Sequence, residues 1–180
     1  MNDISIARRV LLALSGVIVS GFLLRTQVSQ ALVIRGDERL YRGSAVEALT
    51  YYRRAIAADP LDGSAVDRFA FGAISLRERR LVREAIVVTS EYLRRRPSDD
   101  EVRMDRAMAL RLLGDWTRAA DDFERVGVRR RDATALTFAG YAALALHQRS
   151  RAIACWRRAL SVDGNFLAAR HALRLRVASL

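Results

Sequence analysis

Small and large apolar residues recur along the chain at long, nearly regular intervals. Four alanines lie 37, 34 and 33 residues apart, namely Ala48, Ala85, Ala119 and Ala152. A small residue precedes each of them by twelve positions, and an aromatic residue follows three of the four by four positions. Two antiparallel helices pack closely in this way, because small residues let the backbones approach and a large side chain fills the seam. With no stretch that alternates like a strand, the pattern predicts an all-α chain of about four helical hairpins.

Short polar signals mark where these helices begin and end. Gly43 and Gly114 each stand five residues before a repeated alanine. They predict the turn between the two helices of a hairpin, because glycine adopts the left-handed conformation without strain. Ser44 and Ser98 each precede a glutamate by three residues, a spacing typical of capping boxes. We therefore expect helices to begin directly after these serines.

A separate apolar segment precedes the first hairpin. Residues 10–24 carry no charge and are flanked by arginines at positions 8, 9 and 25. At ~1.5 Å per residue this helix would span roughly 22 Å, less than the ~30 Å hydrocarbon core of a bilayer. The segment fits a short transmembrane helix with snorkelling arginines, the apolar part of a signal peptide, or a buried core helix. We favour an uncleaved anchor, because a cut at Ser29 and Ala31 would place Arg25 in the cleavage region and trim the first hairpin.

This interpretation divides the chain in two. Residues 1–28 are predicted to be a short tail and membrane anchor, and residues 29–180 a helical repeat domain with a C-terminal capping helix. Gly16 and Ser20 form a pair of small residues one turn apart, which could seat another transmembrane helix. Arginines on both sides of the segment leave its orientation open by the positive-inside rule.

Composition narrows the chemistry that the chain can perform. Its 31 basic residues, all arginine, against 20 acidic ones give a net charge of +11. The absence of lysine excludes a P-loop lysine and a Schiff-base lysine. Two histidines and one cysteine are too few for a closed zinc site or a disulfide framework. We therefore predict no enzymatic activity, no cofactor and no metal.

The repeated positions resemble the tetratricopeptide repeat (TPR) family. The match covers about residues 29–166, and residues 166–177 follow it as a capping helix. The third hairpin is the best copy. The second departs from the family pattern, with about three extra residues after Pro60 and with Arg80 where the turn glycine is expected. The resemblance implies an α-solenoid that serves as a scaffold for other proteins.

The resemblance also implies a groove lined by the first helix of each hairpin. The positions at which family members clamp a peptide carboxylate with Lys, Asn and Arg hold mostly apolar residues here, so we expect no such clamp. An adaptable apolar groove for a helix or an extended segment is favoured instead. The alternative is that these side chains only pack against neighbouring repeats. The candidate groove residues are Tyr41, Ile74, Arg77, Met104, Met108, Arg111 and Tyr141.

Arginines recur in phase on the second helices and at their ends. They predict a basic face that is either simply solvated or attracted to anionic lipid or an acidic partner. Nucleic acid is disfavoured, because the aromatic residues occupy seam positions rather than lying among exposed arginines. The members of this face are Arg53, Arg54, Arg94, Arg95, Arg96, Arg129, Arg130, Arg131, Arg157 and Arg158.

Together these patterns predict a membrane-anchored scaffold that binds proteins through its groove. We expect a single-pass protein of the bacterial inner membrane with periplasmic repeats. It would act in assembly or maturation of an envelope complex: cytochrome or dehydrogenase maturation, secretion or pilus assembly, or polysaccharide export. One alternative is a permanent structural subunit held mainly through its transmembrane helix. Another is a basic adaptor on the cytoplasmic leaflet.

Overall fold

The structure is a computed structural model that describes residues 3–177, with the side chains of residues 20, 21 and 23–175. Over these residues the chain is all-α, as predicted, with nine helices and no strand. The final helix begins one residue after the predicted start of the capping helix. The helices are α1 (Asp3–Tyr41), α2 (Ala45–Ala58), α3 (Gly63–Leu76), α4 (Arg79–Arg95), α5 (Asp100–Leu113), α6 (Trp116–Arg130), α7 (Ala133–Ala145), α8 (Arg149–Val162) and α9 (Leu167–Val177).

The chain divides into two compact units, with the boundary between Arg68 and Phe69 inside α3. The first unit contains α1, α2 and the beginning of α3. The second contains the rest of α3 and helices α4 to α9. In both units consecutive helices pair through short turns, so the hairpin is the common building element.

The predicted membrane span is not supported. Helix α1 continues without interruption from Asp3 to Tyr41, and in the described part of the chain no helix combines the length and the apolar character needed to cross a membrane. The prediction of a single-pass inner-membrane protein with periplasmic repeats is therefore wrong. The apolar run is short, because fifteen helical residues reach only about 22 Å. Of the predicted helix-packing pair, Gly16 lies outside the described side chains, and Ser20 is exposed.

In the first unit, a partly buried polar cluster fixes α1 to the end of α2. Arg25 donates a hydrogen bond to Asp59 Oδ1 at 2.8 Å. Ser29 Oγ lies 2.7 Å from Asp62 Oδ2 and 3.1 Å from the carbonyl oxygen of Ala55. Burial opposes ionisation of Asp59, but the hydrogen bond from Arg25 and further donors outweigh it and lower the pKa of this carboxyl. The arginine expected to flank a membrane segment thus belongs to the first hairpin.

The small and aromatic positions meet as their spacing predicts. A methyl group added to Gly36 would overlap the Tyr52 ring, and one added to Gly140 would overlap the indole of Trp156. Both aromatic side chains are fully buried. Glycine is needed at these two positions because the facing ring lies directly against the backbone of the first helix. The seam that the sequence pattern predicts is therefore present in the first and in the last hairpin.

The second hairpin differs in register from the other three. A residue in the left-handed conformation stands five positions before the repeated alanine in three hairpins, but eight positions before Ala85. The three extra residues therefore form an additional first turn of α4, which contains Arg80, and do not lie after Pro60. Counted back from the turn, the small residue of this hairpin is Ala70. The left-handed residues of the four turns within hairpins are Gly43, Arg77, Gly114 and His147.

Neither predicted capping box forms. Ser44 occupies the N-cap of α2 but makes no capping hydrogen bond with its side chain. Helix α5 is capped one residue later than predicted, by Asp99, whose carboxylate accepts from the backbone N–H of Val102 at 3.2 Å. The helix starts were therefore predicted to within one residue, although the capping contacts were not.

Candidate protein-binding face

The first helices of the three hairpins in the second unit place equivalent side chains in one row. Met108 and Tyr141 each directly follow the small buried residue of their hairpin, and the corrected register brings Phe71 to the same position. Ile74 and Arg111 follow one turn later. We call the set the odd-helix face, because it lies on α3, α5 and α7; its members are Phe71, Ile74, Met104, Met108, Arg111, Phe138 and Tyr141.

Most of the odd-helix face is apolar and only partly covered. Phe71 is 59% exposed and Tyr141 is 40% exposed. Exposed aromatic rings and flexible methionines are typical of surfaces that bind other proteins. The inner members pack against the core of the second unit and remain half-buried: Ile74, Met104, Met108 and Phe138. These side chains therefore pack against neighbouring repeats, as the packing alternative predicts, and are also partly exposed.

Arg111 is the charged member of this face. Its guanidinium carbon lies 5.6 Å from the centroid of the Phe138 ring, which is cation–π distance. The Nε atom is buried and has no hydrogen-bond partner. Within the described residues, no carboxylate lies within ion-pair distance of Arg111. The guanidinium is therefore held by an aromatic ring and has hydrogen-bonding capacity left over.

Tyr141 is held in place from two sides. Its ring packs edge-on against the indole of Trp156, with 5.6 Å between ring centroids. Its hydroxyl donates a long hydrogen bond of 3.4 Å to the carbonyl oxygen of Ala168 in α9. The exposed edge of the ring is consequently presented from a fixed orientation, and its position depends on the seam of the last hairpin.

Two predicted groove residues lie elsewhere. Tyr41 is the last residue of α1 in the first unit and is 95% exposed. Arg77 forms the turn after α3, exposed and with a φ of +54°. Sequence reasoning missed Phe71 because the second hairpin was aligned on Ala85. Counting back from the turn rather than from the alanine would have found Phe71. Sequence reasoning also missed Phe138, which contacts the same core.

Five of the ten arginines of the predicted basic face pair with carboxylates. Arg54 stacks near Tyr51, with 5.9 Å from the guanidinium carbon to the ring centroid, and Arg53 is half-buried. Arg96, Arg131 and Arg157 are exposed. The other five form ion pairs: Arg94 and Arg95 with Glu91, Arg129 with Asp100, Arg130 with Glu101, and Arg158 with Glu124. Half of the predicted face is therefore paired with carboxylates.

The cysteine and the acidic pair at residues 121 and 122 are buried or engaged, whereas His147 and His171 are exposed. Burial raises the pKa of the Cys155 thiol to about 11, so the side chain is protonated at neutral pH. Asp121 accepts from Arg151 at 2.6 Å, and Asp122 accepts two hydrogen bonds from Arg106. The described portion of the chain brings together no group of three His, Cys, Asp or Glu residues that could hold a metal.

Comparison with known proteins identifies the fold. No family model and no curated protein matches the sequence. Among solved structures, a crystal structure of MamA protein superposes with a TM-score of 0.71 at 17% identity, over 79% of this chain and 77% of that one. The TPR protein YrrB, described as having an unusual peptide-binding site, superposes with a TM-score of 0.69 at 19% identity, over 81% of this chain and 74% of that one.

A tetratricopeptide repeat protein from Parabacteroides merdae ATCC 43184 is a third match. It has a TM-score of 0.66 at 18% identity, over 80% of this chain and 57% of that one. Similarity at this level of identity establishes the fold. The TPR architecture expected from the spacing of small and aromatic residues is thus confirmed.

Proposed function

We propose that this chain, which has the TPR fold, is a scaffold that binds a segment of another protein on its odd-helix face. The observation that carries the proposal is the row of partly exposed apolar side chains on α3, α5 and α7. Elsewhere in the second unit, exposed apolar side chains such as Val87 and Val128 carry no aromatic ring, and arginines of α4, α6 and α8 pair with carboxylates. The peptide-binding site described for YrrB, a structural neighbour, supports the proposal.

The geometry of the face suits a docked segment. Phe71 and Tyr141 offer rigid aromatic surfaces on the outer helices, which bind with little loss of conformational entropy. Met104 and Met108 lie between them on α5, and the unbranched thioether side chain adapts to different partners. An extended peptide or an amphipathic helix would bury apolar side chains across this row.

The setting that we propose is recruitment of partner proteins while a multiprotein complex is assembled. A role in the envelope complexes named above was expected because of the predicted membrane anchor. Since the transmembrane span is not supported, that expectation no longer has a basis. The same holds for contact with lipid and for a permanent subunit held through a transmembrane helix.

Selection from a random peptide library displayed on phage tests the proposal. We expect the purified chain to enrich peptides with apolar residues, and the double variant Met104→Glu, Tyr141→Ala to lose their binding. Circular dichroism should show unchanged helical content. Val87→Glu is the matched control, because it places the same charge on an exposed apolar position of α4. Full binding by the folded double variant, or an equal loss in the control, would contradict the proposal.

Stoichiometry separates recruitment from permanent assembly. Purification of the chain at its natural abundance, followed by quantitation of what elutes with it, should give partners well below one per chain if they are recruited transiently. A constant one-to-one partner would identify a stable subunit instead, and would argue against a recruiting role.

A further inference from the structure

We infer that the odd-helix face selects segments in which an acidic side chain stands among apolar ones, and that the carboxylate binds Arg111. The inference rests on the proposed function and names the chemistry of the partner. It follows from the state of one guanidinium, from the uncharged helices around it, and from the contrast with the other partly buried arginines of the second unit.

Other partly buried arginines in this unit bind carboxylates. Arg106 donates from Nε and from a terminal nitrogen to the two oxygens of Asp122, at 2.7 and 2.8 Å. Arg151 donates to Asp121 and to Glu124, at distances between 2.6 and 3.1 Å. Such paired, charge-assisted hydrogen bonds are the usual arrangement for a guanidinium that leaves water. Arg111 departs from this pattern, because its contact is the Phe138 ring and no carboxylate of the described residues pairs with it. The fully buried Arg103 also has an Nε–H without an acceptor, but it lies 3.9 Å from Asp100 and donates to the carbonyl oxygen of Pro97.

The helices that flank α5 on this face offer no charge that could compensate Arg111. Neither residues 69–76 of α3 nor residues 133–145 of α7 include a charged side chain. On α5 itself, Asp100 and Glu101 form ion pairs with Arg129 and Arg130 at the opposite end of the helix. Asp105, six residues before Arg111, is engaged in another contact and forms no ion pair with Arg111. The guanidinium is thus an isolated positive charge in an apolar setting.

An arriving carboxylate would bind the terminal nitrogens of Arg111, which donate to no described residue and, unlike Nε, are not buried. A hydrogen bond to a charged group contributes more than one between neutral groups. The planar guanidinium matches the two oxygens of a carboxylate, and apolar surroundings strengthen the pair by excluding water. Because Met104 and Met108 lie two turns and one turn before Arg111 on α5, the residues beside the acidic side chain should be apolar. The net charge of +11 would also speed encounters with acidic partners.

The same phage-displayed library tests the inference when it is selected on wild-type protein and on Arg111→Met, which keeps an apolar stem but removes the charge. We expect wild type to enrich peptides with Asp or Glu beside Leu, Ile or Met. The variant should keep the apolar preference and lose the acidic one. Acidic enrichment that survives in Arg111→Met would overturn the inference, because the carboxylate would then be bound elsewhere.

Affinities of one enriched peptide give the magnitude. Replacing its acidic residue by the matching amide should weaken binding to wild type by about 10- to 100-fold, as expected for a charge-assisted hydrogen bond, but should leave binding to Arg111→Met nearly unchanged. A charge-swapped pair, Arg111→Glu with lysine in the peptide, should recover at least part of the loss. Arg157→Gln, an exposed arginine of α8, is the matched control and should bind normally.

The outcomes distinguish this inference from the proposed function. If wild type binds apolar peptides without preference for acid, and Met104→Glu with Tyr141→Ala abolishes that binding, the function stands and the inference fails. If neither substitution on the face affects binding, both fail. Tighter binding of a phosphoserine peptide, or of a peptide that offers only its terminal carboxylate, would also contradict the choice of an acidic side chain.

Discussion

The hairpin α1–α2 of the first unit and the hairpin α7–α8 of the second pack in the same way along the seam between their helices. They differ in the hydrogen bond that the buried aromatic ring makes. In both, a glycine of the first helix lies against a buried aromatic ring of the second. Tyr52 in α2 donates its hydroxyl to Asp37 Oδ1 at 2.7 Å. Trp156 in α8 donates its indole N–H to the carbonyl oxygen of Thr137 at 3.3 Å.

The difference shows that the packing of the ring recurs between hairpins, whereas its hydrogen-bond acceptor varies. The slot for a ring is set by backbone approach, so it recurs with the small residue and the large residue. The polar end of the ring takes whichever acceptor the first helix offers. In the first unit this is a half-exposed carboxylate that also pairs with Arg68 at 3.2 Å; in the second it is a backbone carbonyl that cannot titrate.

The largest effect should come from emptying the slot. Trp156→Ala removes a fully buried indole, and large-to-small changes of this kind cost about 3–5 kcal/mol of unfolding free energy. Tyr52→Ala should cost a similar amount, because the slot is equivalent. Urea denaturation followed by circular dichroism measures both. A loss below about 1 kcal/mol for either variant would show that its ring does not hold the hairpin together.

Filling the glycine side of the slot should have the next largest effect. Gly140→Ala and Gly36→Ala push a methyl group into the facing ring and should cost roughly 2 kcal/mol each, as overpacking does. Gly21→Ala is the matched control, because nothing lies within 4 Å of the added methyl group. The control should be neutral or gain up to about 1 kcal/mol from helix propensity. Equal stability of all three variants would refute the close approach.

Removing only the polar end should cost less and should depend on pH. Tyr52→Phe loses the hydrogen bond to Asp37 and should cost about 1.5 kcal/mol near neutral pH. Burial, and then the hydrogen bond to Asp37, raise the pKa of Tyr52 above its ordinary value of 10.0.

The sign of the pH effect follows from this shift. The folded chain keeps the Tyr52 proton at a pH where the unfolded chain loses it, so the contribution is fully present below pH 10 and declines as the pH rises further. We therefore expect the stability gap between wild type and Tyr52→Phe to shrink above pH 10. Trp156 has no titrating group, so Trp156→Phe should show a gap that is constant over the same range. A constant gap for Tyr52→Phe would contradict the predicted shift.

The smallest effect concerns the turns. Arg131 ends α6 in the left-handed conformation with a φ of +52°, whereas Gly43 and Gly114 occupy comparable turns without strain. Arg131→Gly should therefore raise the unfolding free energy by about 0.5–1 kcal/mol. Gly43→Ala should lower it by a similar amount. Thermal denaturation of both variants checks the pair, and a loss of stability in Arg131→Gly would show that the arginine side chain contributes more than its backbone strain costs.

The hairpins could be predicted because close helix packing demands small and large residues at fixed distances. That demand is visible in Gly36 with Tyr52 and in Gly140 with Trp156. The register of the second hairpin could not be predicted, because Arg77 adopts a conformation in which glycine is expected. Because the register was misplaced by three residues, the sequence predicted Ile74 at the position on the odd-helix face that Phe71 occupies.

The ion pairs of the arginines could not be predicted from the sequence either. Arg158 pairs with Glu124, which is 34 residues away, and Arg25 pairs with Asp59 at the same separation. Only the folded arrangement shows that such arginines are neutralised while Arg111 is not. For the same reason the odd-helix face was predicted in part: Met104, Met108 and Tyr141 follow from repeat positions, but the partner of Arg111 depends on what packs beside it.

The methyl groups of the methionines report most directly on whether the odd-helix face binds a segment. The chain has three methionines, and two of them, Met104 and Met108, lie on this face. In a spectrum of ¹³C-methyl methionine recorded during titration with a library-selected peptide, we expect both signals to shift and the Met1 signal to stay in place. Binding of that peptide with no change at Met104 or Met108 would show that it docks elsewhere, and would contradict the account.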